Sequence, residues 1–214
     1  MMRDFPFFTT ETGVSSLILK EVPYKGIAYI RIQDVQPENL TAHLAECADF
    51  CRAVGADRVV ATGHDDLETL PLYTAVQVMT AQAWVDPEKM ACLFPVTEST
   101  VRRWREIYNQ RMAEVDTAGT LEAKQESEIL ASGGAYFVHD AGEPLGIGWL
   151  DDCKLKAVAA VKIGAGERVM HTLLSLVEGD TMALEVASTN TRALRLYEKL
   201  GFLKVAETTR WYRV

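Results

Sequence analysis

The sequence of 214 residues is short of cysteine, of cations and of long apolar runs, and each shortage closes off a class of protein. Its four cysteines, Cys47, Cys51, Cys92 and Cys153, make no disulfide-rich scaffold and no paired C-x-x-C set. Cys47 and Cys51 stand four apart in a predicted helix and share a face, where small buried hydrophobes are expected; a metal pair would need further ligands that the spacing does not supply. The histidines, His43, His64, His139 and His171, are scattered without H-E-x-x-H or paired spacing, so no metal site is expected. Lys and Arg number 22 against 30 Asp and Glu, a net charge of −8. That balance argues against nucleic acid and anionic membrane as partners, because both need clustered cations. No run of about eighteen apolar residues exists, so no membrane span is expected. The opening Met1-Met2-Arg3-Asp4-Phe5-Pro6-Phe7-Phe8 lacks the apolar core and small-residue cleavage site of a secretory signal. These absences describe a reduced, cytoplasmic protein.

What is present is ordinary globular composition, 48% apolar and 24% charged, over a length between one and two domains. Ser15–Lys20 and Gly26–Gln33 read as extended runs joined by Pro23-Tyr24-Lys25-Gly26, a hairpin signature. A helix opens at Pro37-Glu38-Asn39 and runs toward Val54 with Leu40, Leu44, Cys47, Ala48 and Cys51 at helical spacing. Arg58–Thr62 reads as a buried strand, and Leu72–Ala83 is apolar without a clear period. Met90–Val96 predicts a strand; Val101–Glu114 and Leu121–Ala131 predict helices, the second ended by Gly133-Gly134. Strands follow over Ala135–His139, Gly146–Leu150 and Leu155–Val161, then a helix over Gly166–Val177, a strand over Met182–Ala187 and a helix over Thr191–Leu200. Phe202–Val214 carries one or two more strands. An antiparallel meander with one parallel crossover is an α+β fold with a mixed central sheet flanked by helices, here preceded by a smaller α/β segment. A boundary near Trp84-Val85-Asp86-Pro87 divides the chain into 1–87 and 88–214.

The chemistry concentrates where the strand ending at Val161 runs through Lys162-Ile163-Gly164-Ala165-Gly166 into the helix beginning Glu167-Arg168-Val169. Amides at a helix start have no internal partners and the helix dipole puts about half a positive charge there, so an anionic phosphate fits against them. The net negative charge does not forbid this: charges beyond about 8 Å are screened, while donors at hydrogen-bond distance are not. A Rossmann fingerprint would place a third glycine at Val169; together with the sheet order, its absence weakens a dinucleotide site.

The terminal segment from Leu184-Glu185-Val186-Ala187 through Asn190, Ala193 and Tyr197 to Gly201-Phe202 resembles, position by position, the final motif of the GNAT superfamily of acyl-CoA-dependent N-acetyltransferases. The resemblance covers about residues 90–214 and is most specific over the last sixty or so. It implies a GNAT-like sheet in which two neighbouring strands splay apart just beyond residue 161. The co-substrate would be acetyl-CoA, with no metal. Backbone from Ala159, Ala160 and Val161 would pair with the pantetheine arm, and Lys162, Gly164, Ala165, Gly166, Glu167, Arg168 and Val169 would cradle the pyrophosphate. Asn190 and Ala193 would border the cofactor. Tyr197 would meet the departing sulfur, as hydrogen-bond donor rather than full acid, since a phenol near pKa 10 lies above a thiol near about 8.5. The acceptor would be a small-molecule or peptide amine. Without the family, Asn190 is still a good N-cap and Tyr197 a helix-face aromatic.

Two positions depart from the family pattern. Val161 stands where its loop carries Arg or Gln, and Glu167 puts an acid at the proposed anion site. The strand over Leu155–Val161 holds no carboxylate to serve as base. Glu185, Asp151, Asp152 and Glu114 remain alternatives, none of them assigned. These departures keep a second reading open, a non-catalytic acyl-CoA-binding or protein-interaction module. Arg102, Arg103 and Arg105 do not share a helix face, so Val101, Trp104, Ile107 and Tyr108 read as a packed stripe; the resemblance would also allow Trp104 and Tyr108 to touch the acceptor. Finally, an ungapped offset lays Gly55–Tyr73 over Gly179–Tyr197, matching Gly55, Leu70, Leu72 and Tyr73. Residues 1–87 are therefore expected to be a degenerate partial copy, with Asp66 at the position of Asn190 and Pro71 interrupting the helix.

Overall fold

The computed structural model describes residues 7–214; the reading of Met1–Pro6 lies outside them. Contacts divide the chain into two compact units, Met1–Ala75 with Thr209–Val214, and Val76–Thr208.

The first unit holds β1 (Phe7–Thr9), β2 (Gly13–Ile18), the one-turn helix α1 (Val22–Lys25), β3 (Ile27–Val35), α2 (Leu40–Ala53) and β4 (Arg58–Thr62). It also takes the start of β5 (Leu72–Gln82) and the end of β11 (Leu203–Arg213). β2 and β3 pair antiparallel, as expected. Their connection is a helical turn rather than a tight hairpin: Pro23 suits the first turn and Gly26, at φ 64°, ends it. β4 returns parallel to β3 in unbroken register, from Ile27↔Arg58 to Arg31↔Thr62. On its other side β4 meets Tyr212 and Arg213 antiparallel. α2 buries His43 and Leu44 with Cys47, Ala48 and Cys51, and the cluster includes Leu17, Ile30, Val59 and Ala61. Burial pushes both thiols up to about 11, so they are neutral packing groups.

The second unit continues β5 from Val76 and adds β6 (Cys92–Pro95), α3 (Val101–Met112), α4 (Glu126–Ser132), β7 (Ala135–Asp140), β8 (Glu143–Asp151), β9 (Lys154–Ala160), α5 (Gly166–Leu174), β10 (Thr181–Ala187) and α6 (Thr191–Lys199). With residues 203–208 of β11, its strand order is β11-β5-β10-β9-β8-β7-β6. β6 to β9 form the antiparallel meander, β9 and β10 are parallel, and β10 is antiparallel to β5. This is the mixed sheet that the element order implied. Leu72–Gln82, undecided in sequence, is a strand. The helix expected from Leu121 begins only at Glu126, because Glu122 and Gln125 first close a capping box around a 3-10 turn. Trp84–Pro87 forms the stretch after β5.

Helices cover both faces of this sheet. Trp104, Ile107 and Ile129 pack with Ile147, Trp149, Ala157 and Ala159 on one side. Val169, Met170, Leu173 and Tyr197 pack with Val138, Leu145, Leu184 and Phe202 on the other. Such side chains contribute about 1.5–3 kcal/mol each on full burial. α5 lies close on β8 because Gly148 leaves room for Leu173, which a Cβ there would strike.

Candidate functional site

β9 and β10 pair over two residues only, Lys154↔Ala183 and Leu155↔Leu184, with the Ala183 N–H donating to Cys153 O at 2.8 Å. Beyond them the parallel ladder stops, although the strands continue to Ala160 and Ala187. The cause lies in β9. Its register with β8 shifts so that Leu155 faces Leu150 and Ala157 faces Trp149, which leaves Lys156 as the extra residue of a bulge. A bulge bends and twists its own strand. β10 is held by seven antiparallel pairs to β5, from Thr181↔Gln82 to Ala187↔Val76, and does not follow. The strands therefore part from Lys156 onward, earlier than the expected position beyond residue 161.

The bulge also sets which backbone groups face the opening. The Val161 N–H donates to Leu145 O at 2.8 Å. Antiparallel pairs alternate between exchanging bonds and not, so Ala157, Ala159 and Val161 turn their N–H toward β8. Val158 and Ala160 turn their N–H and C=O toward the gap. Of the backbone expected to line it, Ala160 does so and Ala159 and Val161 do not. Val158 was missed because nothing in Lys156 announces a change of parity.

Past Val161 the chain turns tightly, with Ala165 N–H on Lys162 O at 3.2 Å and Val169 N–H on Ala165 O at 2.9 Å. Among the described residues no backbone carbonyl takes the N–H of Ile163, Gly164, Gly166, Glu167 or Arg168. Gly164 sits at φ 82°, a conformation that a side chain disfavours, and space is open around it. Glu167 lies between Lys89 Nζ at 2.6 Å and Lys199 Nζ at 2.5 Å. Those two ammonium groups, Lys199 first, hold its carboxyl down at about 2. Lys89 also lies 3.5 Å from Asp86, so two carboxylates balance the two ammonium groups and Glu167 is neutralised by its own ion pairs. Arg168 is engaged elsewhere, with Asp140 at 2.7 Å and the Met90 carbonyl at 3.3 Å. Lys162 is exposed and makes no ion pair among the described residues.

α6 meets this loop through Lys199 and through Leu196, whose Cδ2 would lie 3.1 Å from a Cβ on Gly166. Asn190 caps α6, its Oδ1 accepting the Ala193 N–H at 3.2 Å. The Tyr197 ring is buried, 5.7 Å from the Phe202 ring. Burial pushes its phenol up to about 12. Every fully buried side-chain N or O of the described residues has a hydrogen-bond partner. The Tyr197 hydroxyl makes none among the described residues, so the tip of this buried ring is not wholly sealed from solvent.

On the opposite face Trp104 is fully buried, donating to Tyr136 O at 3.0 Å and stacked on Tyr108 at 5.8 Å. That places Trp104 in the core rather than against an acceptor. Arg102 and Arg103 reach Glu106, and Arg105 reaches Glu126 at 2.7 Å. Two of the candidate bases are surface ion pairs, Glu185 with Lys154 at 2.7 Å and Asp151 with Lys156 at 3.6 Å. A carboxylate unnoticed in sequence does reach the turn between β10 and α6: Asp116 Oδ2 accepts from Thr189 Oγ1 at 2.7 Å. Among the described residues no three His, Cys, Asp or Glu side chains group as a metal site.

Residues 162–212 match the FR47-like protein family. N-alpha-acetyltransferase RimI of Mycobacterium tuberculosis is 41% identical over 51 residues, 24% of this chain and 32% of that protein. The match thus spans about a third of the curated relative's length. A GCN5-related N-acetyltransferase from Anabaena variabilis superposes with a TM-score of 0.59 at 11% identity, covering 94% of this chain and 59% of the other. A tandem GNAT protein from the clavulanic acid biosynthesis pathway gives 0.51 at 15% identity, covering 94% and 78%.

Proposed function

We propose that this chain, a member of the GNAT superfamily by its mixed sheet and its FR47-like C-terminal segment, transfers an acetyl group from acetyl-CoA to a primary amine. The observation that carries the reading is the gap between β9 and β10, lined by the Val158 and Ala160 backbone and flanked by open amides at the start of α5. A pantetheine arm carries amides of its own and completes that edge as an added strand does. Lys162 to Val169 then faces the pyrophosphate with backbone donors, a helix dipole and the exposed ammonium of Lys162. Asn190 and Ala193 border the cofactor through the cap that shapes the turn before α6.

Acetyl-CoA supplies a thioester carbon that the neutral amine nitrogen attacks: a C–N bond forms, the C–S bond breaks with its electron pair going to sulfur, and the amine proton passes to water. Tyr197 donates a hydrogen bond to the departing sulfur. With its phenol near about 12, full transfer to a thiolate near about 8.5 would be uphill by about 5 kcal/mol. The hydroxyl therefore stabilises charge without giving up its proton.

The first unit is read as a partial copy without a ligand site, although Leu72 and Tyr73, laid over Leu196 and Tyr197 of α6 in the sequence, stand in strand β5 and the matched helix is absent there. Its strand, helix and parallel strand, β3-α2-β4, repeat the order β9-α5-β10, but β3 and β4 pair without a break, so no gap opens. A rival reading, acyl-CoA binding without turnover, is favoured by Val161 and by the absence of a carboxylate on β9. Calorimetry with acetyl-CoA followed by thiol release against a panel of amines separates the two. Binding with release supports the transferase, binding without release supports the rival, and no binding removes both.

A further inference from the structure

Because β9 and β10 are parallel, their C-terminal ends lie at the same side of the gap. One segment touches both. Arg111, in the last turn of α3, donates from Nη2 to the carbonyl of Val161, the residue after β9. Asp116, in the connection that follows, accepts from Thr189, two residues after β10. Five residues of chain, at most about 18 Å, carry a cation to one lip and an anion to the other.

Arg111 differs from its neighbours. Arg102, Arg103 and Arg105 of α3 each reach a carboxylate, whereas Arg111 reaches none among the described residues. Its guanidinium is held by one carbonyl, it is exposed, and the rest of its five-donor fork stays open. It belongs to the α3 face, since Val161 packs with Trp104 and Trp149. The open amides of α5 belong to the other face, where Val169 and Met170 pack. A phosphate held by α5 and a group held by Arg111 therefore approach from opposite sides of the sheet. What comes from the α3 side in the proposed reaction is the acceptor.

We propose that the acceptor is an amine carrying its own carboxylate, with the carboxylate seated on Arg111 and the ammonium arriving against Asp116 and losing one proton to water before the neutral nitrogen attacks. The fork of Arg111 suits a planar carboxylate, and the Val161 carbonyl holds it ready. Thr189 likewise orients the Asp116 carboxylate before the amine arrives. A free amino acid and a peptide with an acidic group near its N-terminus share this chemistry. The inference rests on the transferase reading.

The test measures thiol release with acetyl-CoA for matched acceptors: free amino acids, the corresponding amino-acid amides, and dipeptides with acidic or neutral second residues. Calorimetric affinity for acetyl-CoA is measured beside it. The proposal predicts kcat/KM higher by about tenfold to a hundredfold for the carboxylate-bearing member of each pair, the worth of a charge-assisted contact. Whichever of the two series shows this preference identifies the source. In Arg111→Gln that ratio falls toward one and Arg111→Lys recovers part of it, while acetyl-CoA affinity stays within about twofold. Equal rates for acids and amides in the parent protein overturn the proposal and leave the transferase standing. Equal losses on both in Arg111→Gln, or a loss of acetyl-CoA affinity, also overturn it. An absence of acetyl-CoA binding in the parent overturns the transferase reading and this proposal together.

Discussion

Tyr197 joins two properties that rarely coincide, a ring buried in the core and a hydroxyl with no partner among the described residues. Tyr197→Phe keeps the ring and removes only the tip. It should lower kcat by about tenfold to a hundredfold, as loss of a transition-state donor does, with the calorimetric affinity for acetyl-CoA changed by less than about twofold. The phenol near about 12 also predicts that turnover shows no tyrosine ionisation limb up to about pH 10. Glu167 makes the opposite case, a residue that restrains binding. Its removal in Glu167→Gln frees Lys199 and leaves Lys89 to Asp86 alone, so the dissociation constant for acetyl-CoA should fall by about threefold or more. Weaker binding in that variant would show that the acid itself contacts the ligand or shapes its loop.

At the scale of elements, α2 docks on β2 through a buried polar group. His43 lies 2.8 Å from Ser15 Oγ on one ring nitrogen and 3.1 Å from Thr12 Oγ1 on the other. Desolvation holds its pKa below 6.5, against a smaller opposing pull from Glu46. A histidine whose folded pKa is depressed contributes stability that is present above its unfolded value and is lost as pH falls below it. Melting temperature should therefore drop between about pH 6.5 and about pH 5. His43→Gln should be less stable at neutral pH and show a shallower drop. His171, whose pKa burial also lowers, accounts for what remains.

Elements also mark where sequence reading succeeds and stops. Gly164, Asn190, Tyr197 and Gly201 were legible because a turn, a cap and a helix face are local arrangements within a few residues. The parity of β9 was not, since it depends on a bulge opposite Trp149. Nor were the contacts of Arg111 and Asp116 with the two lips of the gap, which join residues 50 and 73 positions apart. The coarse order of strands and helices in the second unit follows the apolar periods, and its largest departure is the start of α4, where capping decides the boundary.

At the scale of the whole molecule, the two units offer an internal comparison. Each has a strand, a helix and a parallel strand, and each parallel strand has an antiparallel neighbour beyond it, β11 beside β4 and β5 beside β10. Among the described residues the parallel ladder is interrupted between β9 and β10 and runs unbroken between β3 and β4, so the proposed acyl-CoA site belongs to the second unit. One equivalent of acetyl-CoA per chain is therefore expected by calorimetry, and two would contradict the account. The net charge of −8 adds a kinetic expectation. Binding relies on short-range donors set in a repelling field, so the association rate should hold or rise as salt increases from about 20 to about 200 mM. A steep fall would reveal a cationic field that the composition does not suggest.

The most direct test of the central claim is residue-resolved hydrogen exchange with and without saturating acetyl-CoA. The Val158 and Ala160 amides, bare in the gap, should exchange quickly in the free protein and slow by about tenfold or more in the complex. Those of Ala157 and Ala159, already bonded to β8, should change little. Protection of Val158 and Ala160 before ligand is added, or none when it is bound, would contradict the claim that this edge receives the thioester carrier.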